Sequence, residues 1–442
     1  MITIHGTGCC LIDFLYPATD FNAPAFREKL SLEDGDGGLA IGKLVFAENF
    51  EKFVKVSYES ALKEIAGGTP SHNLGGPAVV PIVHAAQVLG SGVSARVCFY
   101  GARGDDETGC LVEEALVRAG FTPSNPPGHV PAGQDAAHTK PDGGVRPIPG
   151  TLVTKAESGG QRDGTTASYT LTRCKGPTPR TDVLSDPGYN NDHGERTFIN
   201  LIGAAGEFGP EDLGDGFFDA DIVAFGGTAL TPKIHDSLSE LLGRAKQRGA
   251  RTVVNLVYDY RSEQAAPGKK WKLGKNDDAY PFIDLLIADR DEALRTSGCS
   301  SAVDAAGWFV KKGCGGAIVT EGTKPLRLTA GTRLFKPLAE TELPVSEAIN
   351  RELAAHPEKR GDTTGCGDNF AGGVIAGLAE EMDRRPAGTP DGIDLREICI
   401  PGIAAGGYAC FTLGGVFYEK RPGEKRELLA PFVEAYKREV QF

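Results

Sequence analysis

Short apolar runs alternate with longer segments of helical period along most of this chain, and no other feature constrains its fold as tightly. A run of four to eight apolar residues is buried on both faces most readily in a parallel sheet whose intervening helices cover it. Ala95–Tyr100 precedes a segment with Leu111, Ala115, Leu116 and Ala119, and Asp221–Phe225 precedes one with Ile234, Leu238, Leu241 and Leu242. Thr252–Val257, Ile283–Ala288 and Ala317–Thr320 read as further strands, and a helix is predicted from near Asp368 through Phe370, Val374, Ile375 and Leu378. The pattern predicts an α/β fold, a doubly wound, mostly parallel sheet with helices on both faces. Two segments break the rhythm. Residues 35–58 begin Gly-Asp-Gly-Gly and read as a turn and an extended hairpin. Residues 122–150 hold seven prolines and five glycines, too many for regular structure, and are followed by polar strand-like pieces through Phe198. Both are read as excursions, over approximately 14–60 and 122–200, from one domain spanning 1–442. No period of about 20 to 50 residues suggests a solenoid or propeller.

Charge and cysteine usage exclude several function classes. The formal net charge is −12, which leaves no basic footprint for nucleic acid or an anionic membrane surface. An anionic substrate therefore needs a local pocket lined by N–H groups or positive charge. The ten cysteines form no C-x-x-C pair and no zinc spacing, as expected of reduced thiols in the cytoplasm. Met1–Asp13 lacks the basic flank and long apolar run of a signal peptide, and no stretch approaches the length of a spanning helix. The 59 glycines, roughly twice the usual share, indicate loops and places where backbone approaches something closely.

The most informative stretch is Asp362-Thr-Thr-Gly-Cys-Gly-Asp-Asn-Phe370, a glycine-rich turn running into an amphipathic helix. Gly365 and Gly367 remove the Cβ atoms that would hold a ligand off the backbone, leaving N–H groups and a positive helix end to receive an anion. A transferring phosphoryl group is such an anion, and Asp368 in the first turn could take the proton of an attacking hydroxyl. The bland alternative is an N-cap aspartate behind a glycine turn. Gly37–Leu44 has P-loop spacing but places Leu44 where a hydroxyl must hold magnesium, and Gly6–Leu11 lacks the third glycine of a dinucleotide fingerprint. Ala288–Glu292 is similar to a protein-kinase catalytic loop but lacks its histidine and asparagine.

Several stretches together resemble the ribokinase-like, PfkB-type family of carbohydrate kinases. Residues 362–370 match its D-T-x-G-x-G-D-x-F signature, with Cys366 where the family usually has Ala. Gly101–Gly109 is similar to its G-x-x-G-x-D-x-x-G segment, Asp289–Glu292 to its N-x-x-E and Thr320–Gly322 to its T-x-G. The resemblance covers most of the chain and implies a ribokinase-like sheet plus a small β lid, which in relatives often mediates a homodimer. It implies Asp368 as catalytic base, the amides of Gly365, Cys366 and Gly367 as an anion hole, and Thr320 with Gly322 at the edge of the nucleotide, ATP. Glu292 and Asp289 would organise Mg2+ through water, although Asp289 replaces a neutral amide, and Asp362 would support a monovalent-cation (K+) loop. Asp13 matches the sugar-hydroxyl ligand. Gly75 and Gly76 stand for the second sugar-binding element, with Asn73 as a replacement ligand because Val80 stands where Asn is expected. Arg196, in Gly194–Phe198, reads as a solvated strand charge, or as a contact for an acidic or phosphorylated sugar.

The resulting expectation is a kinase moving the terminal phosphoryl group of ATP onto a hydroxyl of a sugar or sugar acid. Its rivals are a nucleoside kinase or an ADP-using sugar kinase of the same fold, a non-catalytic sugar-binding regulator, and a cysteine hydrolase built on Cys366. The last lacks the offsets of a nucleophile elbow and a partner histidine. A thiol at a helix amino terminus is also oxidation-prone, so Cys366 predicts reversible inhibition by peroxide.

Overall fold

The computed structural model describes residues 1–33, 35–90, 93–124, 164–192, 194–361, 363–385 and 392–441. The apolar runs become strands of one large sheet. These are β1 (Ile2–Gly8), β5 (Ala95–Arg103), β6 (Thr122–Pro123), β7 (Thr165–Arg173), β10 (Ile222–Gly226), β11 (Arg251–Asn255), β12 (Leu285–Asp289), β13 (Gly316–Glu321), β14 (Lys324–Ala330) and β15 (Leu338–Leu343). Among the described residues it has ten strands in the order β15-β14-β13-β12-β11-β10-β1-β5-β7-β6, parallel except for β14 and β15. The order turns back at β1, with β5 on one side and β10 on the other, so the crevice beyond the carboxyl ends of β1 and β10 is where such a sheet binds ligands. Helices cover both faces. One core joins the sheet to Val79–Val88, Cys366–Arg384 and Leu395–Tyr408 through Ile82, Val374, Ile375 and Ile398. The other joins it to Leu238–Gln247 and Ala302–Lys311 through Leu241, Leu242 and Phe309. No described helix is long and apolar enough to cross a membrane.

A second sheet of five strands runs β3-β9-β8-β2-β4, built from β2 (Leu11–Tyr16), β3 (Leu44–Phe46), β4 (Ser71–Gly75), β8 (Arg180–Asp186) and β9 (Glu195–Leu201). It corrects the reading of residues 35–58 as an extended hairpin. Only β3 is extended, and the chain continues into the helices Ala47–Val54 and Tyr58–Ile65. The helical signal lay in the second half of the segment and beyond it: Ala47 and Phe50, then Tyr58, Ala61, Leu62 and Ile65, recur at helical spacing, and Ser57 caps the second helix on Ser60. Their apolar faces close over Tyr16, Leu184 and Ile199, filling the outer face of the small sheet. Strand β7 also departs from the expected lid at 122–200, because it pairs with β5 over its whole length in the large sheet. Its alternation buries Ala167 and Tyr169 while neighbouring threonines and serine face outward, which gave it a polar look.

Two helices that define the site touch backbone to backbone. Gly402, Gly406 and Cys410 follow one another at intervals of four along and just past Leu395–Tyr408, and they face Cys366–Arg384. A Cβ at Gly402 would lie 3.0 Å from the Phe370 carbonyl oxygen, one at Gly406 3.0 Å from the Cys366 carbonyl oxygen, and one at Gly373 2.6 Å from that of Pro401. Gly402→Val should lower the unfolding free energy by about 1–3 kcal/mol in denaturant titration, the usual cost of overpacking. Gly307→Ala, in a helix where an added methyl meets nothing within 4 Å, should leave stability unchanged or raise it by up to ~1 kcal/mol.

Candidate active site

The crevice forms where β1 ends and the chain crosses into the small sheet. Cys9 and Cys10 join β1 to β2, and the backbone of residues 75–77 passes close by. A Cβ at Gly76, whose φ is +113°, would lie 2.6 Å from the Cys9 carbonyl oxygen, and one at Gly75 would lie 2.1 Å from Asp13 Oδ2. Only glycine at 75 leaves room for the Asp13 carboxylate, so the sequence-predicted pair Asp13 and Gly75–Gly76 is brought together. Asp13 opposes Asn73 on β4 and Thr181 on β8, Thr181 opposes Asn200 on β9, and Asn200 opposes Phe46 on β3. Paired residues project to the same face, so one row across the inner face carries amide, carboxylate, hydroxyl, amide and aromatic ring. Asn200 Nδ2 donates to Thr181 Oγ1 at 2.9 Å, and the Phe46 ring lies 3.7 Å from that of Tyr260.

Asn73 is not available as a sugar ligand, contrary to expectation. Its Nδ2 donates to the carbonyls of Leu413 and Val416 at 2.9 and 3.1 Å, and its Oδ1 accepts the Val416 N–H at 3.2 Å. It fastens the small sheet to the 413–416 loop, which in turn supports the glycine turn. A Cβ at Gly365, with φ at +75°, would lie 2.6 Å from Gly415 Cα. Gly365 caps the helix Cys366–Arg384, and among the described residues no acceptor meets the amides of Gly365 and Gly367. The Cys366 amide lies 3.4 Å from the Thr363 carbonyl, a long contact. Asn369, one residue beyond Asp368, holds the turn: its Nδ2 donates to the carbonyls of Gly365 and Gly415 at 2.9 and 2.8 Å. Its Oδ1 accepts from buried Lys425 Nζ at 2.9 Å and faces His84 Nδ1 at 2.9 Å. Burial, then the charge of Lys425, holds His84 well below the usual histidine range, so the ring is neutral with its proton on Nδ1.

Asp368 itself accepts no hydrogen bond from a described residue, and desolvation pushes its carboxyl up to about 6. It acts electrostatically on both ends of the site. With Asp13 it raises the Cys9 thiol, though burial does most of that, and it adds to the burial and Asp289 repulsion that drive Glu292 well above the ordinary carboxylate range. Asp289 and Glu292 form a reciprocal cap. Asp289 Oδ1 accepts the Glu292 N–H at 2.8 Å and Glu292 Oε2 accepts the Asp289 N–H at 2.9 Å, leaving each acid one oxygen outside the cap. Thr320 pairs with Asp289 across β12 and β13, and Gly322 turns the chain into β14. Asp362 lies outside the described residues.

Arg196 is half-buried and held by hydrogen bonds rather than standing as a freely solvated strand charge. From β9 it reaches the glycine turn, donating from Nη1 to Thr364 Oγ1 at 2.8 Å and from Nη2 to Thr363 Oγ1 at 2.6 Å. Asp106, in the glycine-spaced segment 101–109, is a joint: it caps the helix Glu107–Arg118 on the Gly109 N–H and accepts from both the amide and hydroxyl of Thr178, just before β8. Thr181, Asn200, Asn369, His84 and Lys425 escaped sequence reasoning. Thr181 and Asn200 join Asp13 only through strand pairing across more than 160 residues, for which local sequence carries no signal. Asn369 adjoined the motif but was counted only as part of it.

A family model described as pfkB family carbohydrate kinase matches residues 189–416, just over half the chain and the part holding Arg196, Asp289, Glu292, Thr320 and the glycine turn. Among solved structures, the chain is similar to an adenosine kinase from Schistosoma mansoni in complex with 2-fluoroadenosine, at 13% identity and TM-score 0.62, covering 95% of this chain and 97% of that one. It is similar to a probable sugar kinase from Rhizobium etli at 17% identity and TM-score 0.61, covering 98% and 100%. It is also similar to ribokinase from Thermotoga maritima at 16% identity and TM-score 0.56, covering 98% and 100%. A comparison with curated proteins gives no sequence match. The large sheet, the small sheet folded over its switch point and the matched segment lead to one conclusion: this chain belongs to the pfkB family of carbohydrate kinases and has the ribokinase-like fold.

Proposed function

We propose that this kinase transfers the terminal phosphoryl group of ATP to a hydroxyl of a sugar or sugar acid held under the small sheet. The observation that carries the reading is the Asp368 carboxylate, desolvated, without a hydrogen-bond partner among the described residues, and one residue from an open glycine amide. A carboxylate in that position can take the proton of an attacking hydroxyl while the 365–367 amides and the helix end stabilise the moving group. Asp13 orients the acceptor by accepting from its hydroxyls, and Arg196, held by Thr363 and Thr364, adds positive charge beside the turn. Thr320 and Gly322 border the nucleotide.

Mg2+ fits the acids present. Each acid keeps one oxygen outside the reciprocal cap, as suits a hard cation that keeps waters and shares phosphate oxygens. Glu292 and Asp289 would hold it by the oxygens left outside their cap, and the ion supplies neutralisation of the phosphate charge when bound.

A sugar, free or as the ribose of a nucleoside, suits the row Asp13, Thr181 and Asn200, whose carboxylate, hydroxyl and amide match a polyhydroxylated ligand. The nucleoside reading is favoured by the Phe46–Tyr260 pair at the end of that row, an apolar platform for a base.

Asp368→Asn should retain nucleotide affinity by calorimetry yet lose at least about 100-fold in kcat. An acid must be ionised to accept a proton, and burial has raised this one. The kcat/KM for acceptor should therefore rise about tenfold per pH unit below about 6 and level off above it, and Asp368→Asn should abolish that break. In a panel of sugars, sugar acids and nucleosides with ATP or ADP, turnover should be highest with a sugar or sugar acid and ATP. Asn200→Leu should raise the acceptor KM by about 5–10-fold with kcat little changed, the signature of a lost binding hydrogen bond. Preferred turnover of a nucleoside, with Phe46→Ala the more damaging change, would decide for the other reading.

A further inference from the structure

The sulfur atoms of Cys366 and Cys410 lie 3.6 Å apart although 44 residues separate them in sequence. Both side chains are half-buried, whereas Cys9, Cys10, Cys98, Cys314 and Cys399 are buried. Their closeness follows from the helix packing. Cys410 continues the line of Gly402 and Gly406 at four-residue spacing, and that line faces Cys366, Phe370 and Gly373 across the contact. Cys366 opens the helix whose first turn carries Gly367 and Asp368, and Cys410 lies in the turn Ala409–Phe411, whose Cys410 carbonyl accepts the Gly361 N–H at 2.8 Å. Both cysteines therefore sit against the ends of the glycine turn.

We infer that Cys366 and Cys410 form a reversible intramolecular disulfide that disables the anion-holding turn. The oxidant is a hydroperoxide. The Cys366 thiolate attacks the outer peroxide oxygen, breaking the O–O bond to give a sulfenic acid and, with hydrogen peroxide, water once the leaving hydroxide is protonated. The Cys410 thiolate then attacks that sulfur, forming the S–S bond and expelling hydroxide, which leaves as water. Two thiols and one peroxide yield one disulfide and two waters, and a dithiol reverses the step by becoming oxidised in turn. The bond requires the sulfurs to close from 3.6 Å to about 2.05 Å. The Cys366 backbone is held on one side by the Gly406 contact and leads on the other directly into Gly367 and Asp368, so the movement is imposed on the amides and carboxylate that must meet the phosphoryl group. Displacing such groups by a fraction of an ångström is enough to cost turnover.

The formation of the bond is independent of the proposed function, whereas its effect on turnover rests on the anion-turn assignment, and the experiment reads them separately. Wild type and Cys410→Ala, both active when reduced, are treated with hydrogen peroxide, then with or without a dithiol. Peptide mass spectrometry follows the 366–410 linkage, and turnover is measured on the same samples. Wild type should acquire the linkage, with loss of two hydrogens, lose at least about tenfold in activity, and regain both states with the dithiol. Under sustained peroxide Cys410→Ala should show no linkage, and what activity it loses should not return with the dithiol, because a Cys366 sulfenic acid with no resolving thiol at hand is oxidised onward to the sulfinic acid, which a dithiol does not reduce. Absence of the linked peptide in oxidised wild type would overturn the bond. A linked protein with undiminished turnover, or a Cys410→Ala protein that loses and regains activity as wild type does, would overturn the switch.

Discussion

The side-chain amide of Asn369 is the interaction on which the site depends. Its nitrogen draws in the carbonyls of Gly365 and Gly415, and its oxygen receives Lys425 opposite the neutral ring of His84. Lys425 Nζ also donates to Gln87 Oε1 at 3.2 Å, and Gln87 Nε2 donates to the Phe417 carbonyl at 2.7 Å. Four side chains that are almost wholly buried thus join the glycine turn, the helix Val79–Val88, the 413–417 loop and the helix Glu424–Val440. A buried polar group left without a partner costs about 1–3 kcal/mol, and apart from His84 Nε2, which meets none among the described residues, no side-chain polar atom of these four is orphaned. The network therefore fixes the turn far more sharply than apolar packing alone could, which matters because a transition state is stabilised only by dipoles already in place. It also sets the ammonium of Lys425 behind the same turn on its protein side.

The small sheet is tied to this assembly at two places. Asn73 holds the 413–416 loop from β4, and Arg196 holds Thr363 and Thr364 from β9. One tether reaches the loop beneath the turn and the other reaches the turn itself, so the small sheet and the glycine turn are fastened to each other. On the proposed function, exclusion of water and completion of the phosphoryl site would be two consequences of one set of contacts. The acids at the other end, Asp289 and Glu292, owe nothing to this coupling. Their positions come from the cap of their own helix, which keeps a pair of carboxylates in place beside β13 whether or not the small sheet is down.

The large sheet was legible because burial on both faces writes the same signal into every strand: Ile283–Ala288 and Ala317–Thr320 could be read from apolar content alone. The glycine turn was legible for a different reason, since a ligand that needs bare backbone needs glycine. What failed to show was whatever depends on partners remote in sequence. Asn73 reads as a replacement ligand because Val80 stands where an Asn is expected, and its observed partners lie more than 300 residues on, at Leu413 and Val416. Arg196 reads as a surface charge because strand alternation cannot show that the start of β9 meets Thr363 and Thr364. The helices at Ala47–Val54 and Tyr58–Ile65 were obscured by the glycines before them, which fixed attention on the loop rather than on the apolar stripe that follows.

One packing decision links stability, chemistry and oxidation. Setting the helices Cys366–Arg384 and Leu395–Tyr408 in backbone contact requires glycine at 373, 402 and 406 and small residues at the end of the facing line. Where the line passes the amino end of the first helix, it reaches the glycine turn proposed to receive the anion. Cysteine there satisfies the volume limit as alanine would, and the i+4 continuation at Cys410 brings a second thiol to the same contact. Glycine or alanine at either place would preserve the packing and remove the chemistry. The thiol pair is therefore not a requirement of the fold, and what it adds to the site is sensitivity to oxidants at the atoms the reaction uses.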